Sequence, residues 1–499
     1  MITLDQLGPA LLAGGVVVLL AIIGVRFAGR LGVPGLLLYL GIGLGLGAVL
    51  PGSEPINPET AAALGYAALA LILAHGGLTT RITNLRPVLV ASVALATIGV
   101  GVSVLVVSVP LIFWFDLEPR TAVMLAAVVA ATDAAAVFAV LRRTNVIPRL
   151  RQLLEGESGF NDAPVVVLVT VVAGGSLSAQ PWLIPLLVVA ELLGGAVIGI
   201  ALGYATRWLL PRMALPAIGL YPIAAIALLV AAYGLADVLS VSGFMAVYVA
   251  AIIVGSARNL PHRRSVIGFS DGLSWIAEIG LFVMLGLLAQ PDRLPGSLGI
   301  ALVTAVIVVL FARPLAILLT LAPLKYSLRD MTFVSVGGLR GAVPIVFAAI
   351  PLGLGVPGAE LVFDATFIVV IVLTLVQAPA LPWVARRLKV DAPEEPAELD
   401  VDVAPLDQMD AVVIAVDVVA HSRLAGVNTL ELGLPPGVVV SMVLRGGESL
   451  PLDRHIRLRR DDRLVVVAPQ QMRMATINRL RDVASFGRLA GWQRGGNTS

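Results

Sequence analysis

Apolar stretches of about twenty residues recur from the N-terminus to about residue 387, and each is long enough to cross a hydrocarbon core as a helix. Of the 499 residues, 58% are hydrophobic and only 13% are charged, which excludes an ordinary soluble domain. The chain is predicted to be an all-α polytopic membrane protein. Its thirteen predicted spans cover residues 8–26, 33–50, 60–78, 87–115, 120–142, 153–174, 181–208, 214–236, 240–256, 270–290, 296–322, 330–351 and 361–386.

Basic residues are divided very unevenly between the two sets of alternate connections. One set holds eighteen Lys and Arg residues, and the other holds only Arg120 and Arg293. Cytoplasmic loops are enriched in basic residues. We therefore expect a multi-pass protein of the cell membrane with its N-terminus outside and its C-terminus in the cytoplasm.

The texture of the sequence changes after the last apolar stretch. Residues 391–410 contain eight acidic residues, no basic residue and several prolines. Short strand-like runs follow, separated by turn sequences such as LPPG and RGGE. The predicted parts are a transmembrane domain over 1–390, an acidic linker over 391–409, a small cytoplasmic α/β domain over 410–485 and a tail over 486–499.

Polar residues cluster at the head of the sixth predicted span, in the sequence LLEGESGFNDAPVVVLV. On a helix, Ser158 lies over Asp162 and Glu157 lies over Asn161, because residues four apart share one face. The fifth span carries a second polar centre at Thr132 and Asp133. Ionisable residues at membrane depth are costly and usually mark the path of an ion or a proton. These residues are therefore the candidate transport site.

The sequence VSVGGLRGAVPIV in the twelfth span disfavours a continuous helix, since it contains three glycines and a proline around Arg340. Transporters use broken helices to bring helix ends to an ion site near the membrane midplane. The buried Arg340 needs a partner, for which Glu157 is the natural candidate, leaving Asp162 to bind something else. A second expected pair joins Arg313 and Glu278. His75 fits either a polar plug or a titrating group.

Three motifs in this order, ATD at 131–133, EGESGFND at 155–162 and GGLRGAVP at 337–344, resemble those of the monovalent cation:proton antiporter-1 family and its NhaP-type exchangers. The resemblance covers roughly residues 8–390. It implies an NhaA/NhaP-like fold of thirteen helices, with an inverted repeat and broken helices, in a homodimer. Cation/proton exchange is the implied activity, without a cofactor, a bound metal other than the transported cation, or an enzymatic reaction.

The same resemblance implies roles for the polar residues. Asp162 would carry the cation or the proton, with Thr132, Asp133 and Ser158 completing the site. Glu157 and Arg340 would form a structural ion pair. Asn161 stands where charge-translocating relatives have a second acid, which implies electroneutral exchange. His75 stands where relatives usually have an acid, so it is expected to modulate the response to pH, because histidine titrates nearer neutral pH.

The C-terminal part is similar to the TrkA-C regulatory domains found in the potassium/proton branch of this family. This similarity rests on the segment from LPPGVVVSMVL to DRLVVVAP. It implies dimerisation and a small regulatory nucleotide as a ligand, and it favours K⁺ over Na⁺ as the cation. The other expected partners are protons and membrane lipid. The net charge of +2 does not favour nucleic-acid binding.

The sequence argues against two other classes of function. One is a cation channel gated by the cytoplasmic domain, but the chain contains no TVGYG-like filter, and isolated buried acids suit a carrier better. An intramembrane hydrolase would use Ser158 and His75. No nucleophile elbow or third orienting group accompanies them.

Overall fold

The computed structural model divides into two compact units, Met1–Asp391 and Ala392–Ser499. The first is helical and the second is built on a β-sheet. The residues that the structure describes are 4–31, 35–49, 57–141, 146–175, 183–257, 260–391, 401–406, 411–418, 422–446, 448–450 and 456–487.

The first unit is a bundle of apolar helices. Its first half contains α1 Leu4–Leu31, α2 Gly35–Val49, α3 Pro58–Thr79, α4 Ile82–Leu85, α5 Leu89–Phe115, α6 Pro119–Ala130, α7 Ala134–Leu141 and α8 Pro148–Ala173. Its second half contains α9 Ile184–Leu209, α10 Leu220–Val238, α11 Gly243–Gly255, α12 Arg263–Leu288, α13 Leu294–Leu321, α14 Leu328–Gly337, α15 Ala342–Gly353 and α16 Ala359–Leu388.

Each predicted span overlaps a helix or a pair of helices. By length and composition, seven helices among the described residues are long and apolar enough to cross a membrane, or eight if the bent pair α14 and α15 counts as one span. The protein is therefore a multi-pass membrane protein. The count of thirteen spans stays a prediction, because several of the helices are short.

Two of the spans are broken. The helices α14 and α15 meet at an angle of 54°, which confirms the break predicted around Arg340. The sequence predicted only a polar centre in the fifth span, yet α6 ends at Ala130 and α7 starts at Ala134. Ala131 has an extended backbone, with ψ at 140°, so the helical hydrogen bonding stops there.

A second pair of irregularities accompanies the breaks. A π-helical turn over Leu95–Gly99 interrupts α5, and another over Val308–Ala312 interrupts α13. Such turns insert a residue into the helix and often occur at functional sites. Each lies in the long helix that precedes a broken span. This matched order of π turn and break is what the expected inverted repeat would produce.

The second unit contains a five-stranded antiparallel sheet with the strand order β1-β2-β5-β3-β4. Apolar side chains of β2 and β5 alternate with more exposed ones, and their buried face packs against α17. The elements are β1 Val401–Leu406, β2 Ala411–Asp417, β3 Val439–Arg445, β4 Glu448–Leu450, β5 Arg463–Pro469 and α17 Arg473–Phe486.

The predicted linker over 391–409 is too long. Strand β1 lies inside it and pairs with β2 from Val401 opposite Val416 to Leu406 opposite Ala411. Its sequence VDVAPL contains an acid and a proline, which disfavour a strand. An edge strand tolerates a proline, because one of its sides needs no ladder hydrogen bonds. The predicted tail lies outside the described residues from 488 onward.

A buried acid fixes the end of the sheet. Asp462 accepts two hydrogen bonds of 2.8 Å from the Arg445 guanidinium and one of 2.7 Å from the Arg459 amide. Burial opposes ionisation, but these hydrogen bonds and charges outweigh it and hold the pKa of Asp462 below its ordinary value. The Asp462 carboxylate therefore has a structural role in the second unit.

Candidate functional site

The two broken spans contact each other at their breaks, where Asp133 is central. Its amide donates to Leu339 O at 2.9 Å. Its carboxylate accepts from the Ala342 amide at 2.7 Å and from the Ala136 amide at 3.4 Å. Asp133 therefore places negative charge at the N-termini of both α15 and α7, where the helix dipoles favour it.

Arg340 provides the opposite charge at the other ends of the breaks. Its Nε donates to Val129 O at 2.8 Å, and its Nη1 donates to Gly338 O at 3.0 Å. These carbonyls lie at the C-terminal ends of α6 and α14, where a cation is favourable. Thr374 Oγ1 donates to Arg340 O at 2.7 Å and so ties the break to α16.

Two glycines in the GGLRG sequence make room for charged groups. A β-carbon at Gly341 would collide with the Asp133 carboxylate. A β-carbon at Gly338 would lie 2.5 Å from the Arg313 guanidinium carbon. These glycines therefore have two roles: they break the helix, and they allow charged side chains to approach the backbone closely.

The polar centre of α8 faces the first break. The hydroxyl oxygens of Thr132 and Ser158 lie 3.1 Å apart. Asn161 Nδ2 lies 3.3 Å from Thr132 Oγ1 and 3.4 Å from Ala130 O, and donates to both. The structure therefore brings the residues of the fifth and sixth predicted spans together, as the sequence-based hypothesis of one site requires.

Asp162 differs from the other charged residues of this cluster. Its side chain is 1% exposed, and among the described residues its Oδ1 has no hydrogen-bond partner. Asn161 Oδ1 is also buried without a partner there. An unsatisfied buried carboxylate oxygen is costly. The arrangement offers oxygen atoms to a proton or to a dehydrated cation, either of which would remove that cost.

The predicted pairing of Glu157 with Arg340 is wrong. Both guanidinium Nη atoms of Arg313 bind the Glu157 carboxylate, and Nη2 lies 2.8 Å from Oε2. Both residues are buried. The expected pair of Arg313 with Glu278 is therefore wrong as well. Arg340 instead donates hydrogen bonds to backbone carbonyls. The sequence of each span taken separately does not show which groups of other spans its side chain meets.

His75 lies on α3, away from this cluster, and faces α12. Its Nδ1 is 3.0 Å from Ser270 Oγ, and its Nε2 is 3.4 Å from Asp271 Oδ1. Ser158 is instead hydrogen-bonded with Thr132, so the structure does not form the Ser158–His75 arrangement that a hydrolase would need.

Arg313 is the residue of this region whose role sequence reasoning missed. It directly follows the π turn of α13, and Nη2 also donates to Val334 O at 3.4 Å. An arginine within a long apolar span was the available signal, since such a cation requires a buried anion. Only packing shows which anion it meets.

Comparison with known proteins agrees with this geometry. Residues 15–387 match the family model described as sodium/hydrogen exchanger, transmembrane. The chain belongs to this family. As a sodium/hydrogen exchanger family member, it is a cation/proton antiporter and not an enzyme. The NhaP-type resemblance of its motifs is thereby confirmed.

Two curated relatives cover most of this exchanger. The K⁺/H⁺ antiporter NhaP2 of Shewanella oneidensis is 33% identical over 485 residues, which are 95% of this chain and 83% of the relative. The K⁺/H⁺ antiporter NhaP of Alkalimonas amylolytica is 35% identical over 398 residues, or 79% of this chain and 69% of the relative.

A solved structure shares the fold of the exchanger. The sodium proton antiporter MjNhaP1 of Methanocaldococcus jannaschii, determined at pH 8, superposes with a TM-score of 0.66. The match covers 77% of this chain and 99% of that chain, at 23% identity. The predicted NhaP-like architecture is therefore confirmed.

Proposed function

We propose that the protein exchanges K⁺ for protons by alternating access around Asp162. The observation that carries this proposal is the buried Asp162 Oδ1, which has no hydrogen-bond partner among the described residues. It lies on α8, whose Ser158 and Asn161 contact the break between α6 and α7. Broken helices crossing near a carboxylate are a common design for ion sites in transporters.

The neighbouring residues have two kinds of role in this proposal. Thr132 and Ser158 offer hydroxyl oxygens beside Asp162 and replace part of the hydration shell of the cation. Asp133 was expected to bind the cation directly. Because its carboxylate already accepts backbone hydrogen bonds from two helices, we assign it a positioning role. Arg340 has the matching role at the opposite helix ends.

Coupling follows from the single available carboxylate. A proton and a cation cannot occupy Asp162 together, and moving the bare charge through the membrane interior is costly. The moving part would therefore change its facing side only with a proton or a cation bound. Asn161 contributes a neutral amide beside Asp162 rather than a second acid. One monovalent cation would then exchange for one proton without net charge movement.

The choice of K⁺ rests on the curated relatives, since those at 33% and 35% identity carry the name K⁺/H⁺ antiporter. The runner-up is Na⁺, for which a Na⁺/H⁺ antiporter of Synechocystis at 26% identity over 66% of this chain is the relevant relative. The similarity of the C-terminal part to TrkA-C domains also favours K⁺.

Proton movement in proteoliposomes tests the cation. An acid-loaded lumen containing a pH-sensitive dye is exposed to KCl, NaCl or choline chloride at equal concentration. We expect luminal alkalinisation with K⁺, a smaller response with Na⁺ and none with choline. A response confined to Na⁺ would contradict the K⁺ assignment but preserve the exchanger. The absence of any response to either cation would contradict the proposed function itself.

We propose that the N-terminus lies outside the cell and the C-terminus in the cytoplasm. The two arginines on the sparsely basic side have structural partners that account for their position. Arg120 Nε donates to Val172 O at 3.1 Å, at the C-terminal end of α8. Arg293 lies 3.2 Å from Asp364 and 3.1 Å from Glu360. The positive-inside rule therefore applies to the remaining basic residues.

Single cysteines test this orientation, because the chain contains no native cysteine. Glu118 and Ala322 are both exposed, and the predicted spans put their connections on opposite sides of the membrane unit. We expect a membrane-impermeant maleimide applied to intact cells to label Glu118→Cys and to label Ala322→Cys only after permeabilisation. The reverse pattern would invert the proposed orientation.

Partners beyond the transported ions follow from the resemblance and from exposed surfaces. Large apolar side chains of α1 and α9, including Leu11, Leu12, Leu193 and Val197, are more than half exposed. These surfaces suit membrane lipid or a second copy of the chain. We propose a homodimer, for which cross-linking in membranes is the test, and a small nucleotide as a ligand of the C-terminal unit.

A further inference from the structure

A buried polar stripe runs along α12, apart from the cluster around Asp162. Ser270, Ser274 and Glu278 are spaced four residues apart, so they lie on one face of the helix. They are 2%, 8% and 8% exposed, respectively, and thus face the interior of the bundle. Helix α12 packs closely against α2 and α3.

One end of the stripe is accessible. His75 Nδ1 is 3.0 Å from Ser270 Oγ, and His75 Nε2 is 3.4 Å from Asp271 Oδ1. The Asp271 side chain is 46% exposed, whereas that of His75 is 13% exposed. This end lies near the C-terminus of α3 and the N-terminus of α12, on the strongly basic side of the membrane unit.

The other end of the stripe is Glu278, two helical turns deeper than Ser270. No hydrogen bond or ion pair joins Glu278 to any described residue, although it is more than nine-tenths buried. It lies within electrostatic range of Asp133 and Tyr39. A buried acid without a partner is costly to keep and usually has a function in membrane proteins.

The ionisable groups around Glu278 come from several packed elements. Tyr39 belongs to α2, His75 to α3 and Asp133 to the break between α6 and α7.

Among the described residues, the other helices packed against α12 add no further ionisable group to this set. Helix α15 carries no ionisable residue. Tyr233 and Asp237 of α10 instead line a separate cavity of about 480 Å³ with Glu59 and Glu191. Tyr221 of α10 contacts the ring of His262. The ionisable residues of α1 are Asp5, Arg26 and Arg30.

We propose that Glu278 is a second proton-binding group, which relays protons between the basic side of the membrane and Asp162. Protons enter at the His75–Asp271 pair and pass along Ser270 and Ser274, with water bridging the gaps. Glu278 then releases its proton as the Asp162 carboxylate is protonated. Its own carboxylate is reprotonated through the stripe, so proton and charge balance over one cycle. This inference rests on the proposed role of Asp162.

The test separates proton transfer from cation binding. Proteoliposomes containing the full chain or its variants are assayed for K⁺/H⁺ exchange with a pH dye. They are also assayed for exchange of ⁸⁶Rb⁺ against internal Rb⁺ at constant pH, which requires the cation site but no net proton movement. Glu278→Gln keeps the shape of the side chain but cannot carry a proton. Glu191→Gln makes the same change at an acid of α9 outside the stripe.

We expect Glu278→Gln to slow K⁺/H⁺ exchange by about tenfold or more while Rb⁺/Rb⁺ exchange stays within about twofold of the native rate. Glu278→Asp should restore part of the proton-coupled rate. Ser274→Ala, which removes only a hydroxyl from the stripe, should cause the same selective loss and serves as an independent probe if Glu278→Gln is unstable. Glu191→Gln should leave both rates unchanged.

Two results would overturn the relay. One is a native rate of K⁺/H⁺ exchange in both Glu278→Gln and Ser274→Ala. The other is an equal loss of both exchange activities, which would indicate a structural role. If Asp162→Asn keeps both exchange activities, the proposed function is contradicted instead. Failure of the relay and failure of the proposed function can therefore be distinguished.

Discussion

Replacing Asp162 with Asn is expected to reduce cation/proton exchange to the background of empty liposomes while the protein stays folded. Asparagine has nearly the same volume, so packing within α8 is retained. It cannot carry a proton or a negative charge, and Asp162 supplies the buried carboxylate oxygen that has no partner among the described residues. The measurements are the pH-dye response to K⁺ and Na⁺ and the elution profile in detergent.

Asp237→Asn is the matched control, because it makes the same change at an exposed acid of α10. It should retain the native exchange rate. Persistent cation-dependent proton flux in Asp162→Asn, at a rate similar to that of Asp237→Asn, would show that another group carries the proton. Loss of activity with loss of the monodisperse elution peak would mean that Asp162 is needed for folding, against our expectation.

Replacing Arg313 with Met is expected to destabilise the membrane unit by about 3–5 kcal/mol, since removal of one partner leaves a buried charge uncompensated. Arg313 binds both carboxylate oxygens of Glu157, and both residues are buried. Met retains much of the apolar stem, so the loss reports the charge more than the packing. Thermal unfolding in detergent, followed by loss of the monodisperse peak, measures the effect.

The double variant Arg313→Met, Glu157→Gln should recover much of this stability, because it removes both charges together. The control pair is Arg340→Met with Glu157→Gln. Arg340 donates to Val129 O and Gly338 O, so neutralising Glu157 should rescue that variant far less. Greater rescue of Arg340→Met than of Arg313→Met would restore the Glu157–Arg340 pairing expected from the motifs.

The crossed breaks give Asp133 and Arg340 a common physical role. The negative charge of Asp133 lies at two helix N-termini, where the helix dipole is positive. The positive charge of Arg340 lies at two helix C-termini, where the dipole is negative. Helix ends leave backbone groups unsatisfied, which is costly within a membrane. These two residues therefore allow irregular backbone beside Asp162 at membrane depth.

The sequence alone determined the membrane location, the two-part organisation and the break around Arg340. These properties depend on composition and local chemistry, since an apolar run of sufficient length has few alternatives to a membrane helix. It also predicted one site from Asp162, Ser158 and Thr132, because buried polar residues are rare in such helices. That site stays a prediction, although the contact between Thr132 and Ser158 is consistent with it.

Only the tertiary structure decided which charges meet. Helical periodicity relates residues within one helix, whereas Glu157 of α8 and Arg313 of α13 are 156 residues apart and meet only in the folded bundle. The same holds for Asp133, whose carboxylate binds the amide of Ala342, 209 residues away at the start of another helix. The sequence likewise did not predict strand β1 in the acidic segment or the lack of a partner for Glu278. Both depend on neighbouring elements, since β2 supplies the hydrogen bonds of β1 and no described residue supplies a partner for Glu278.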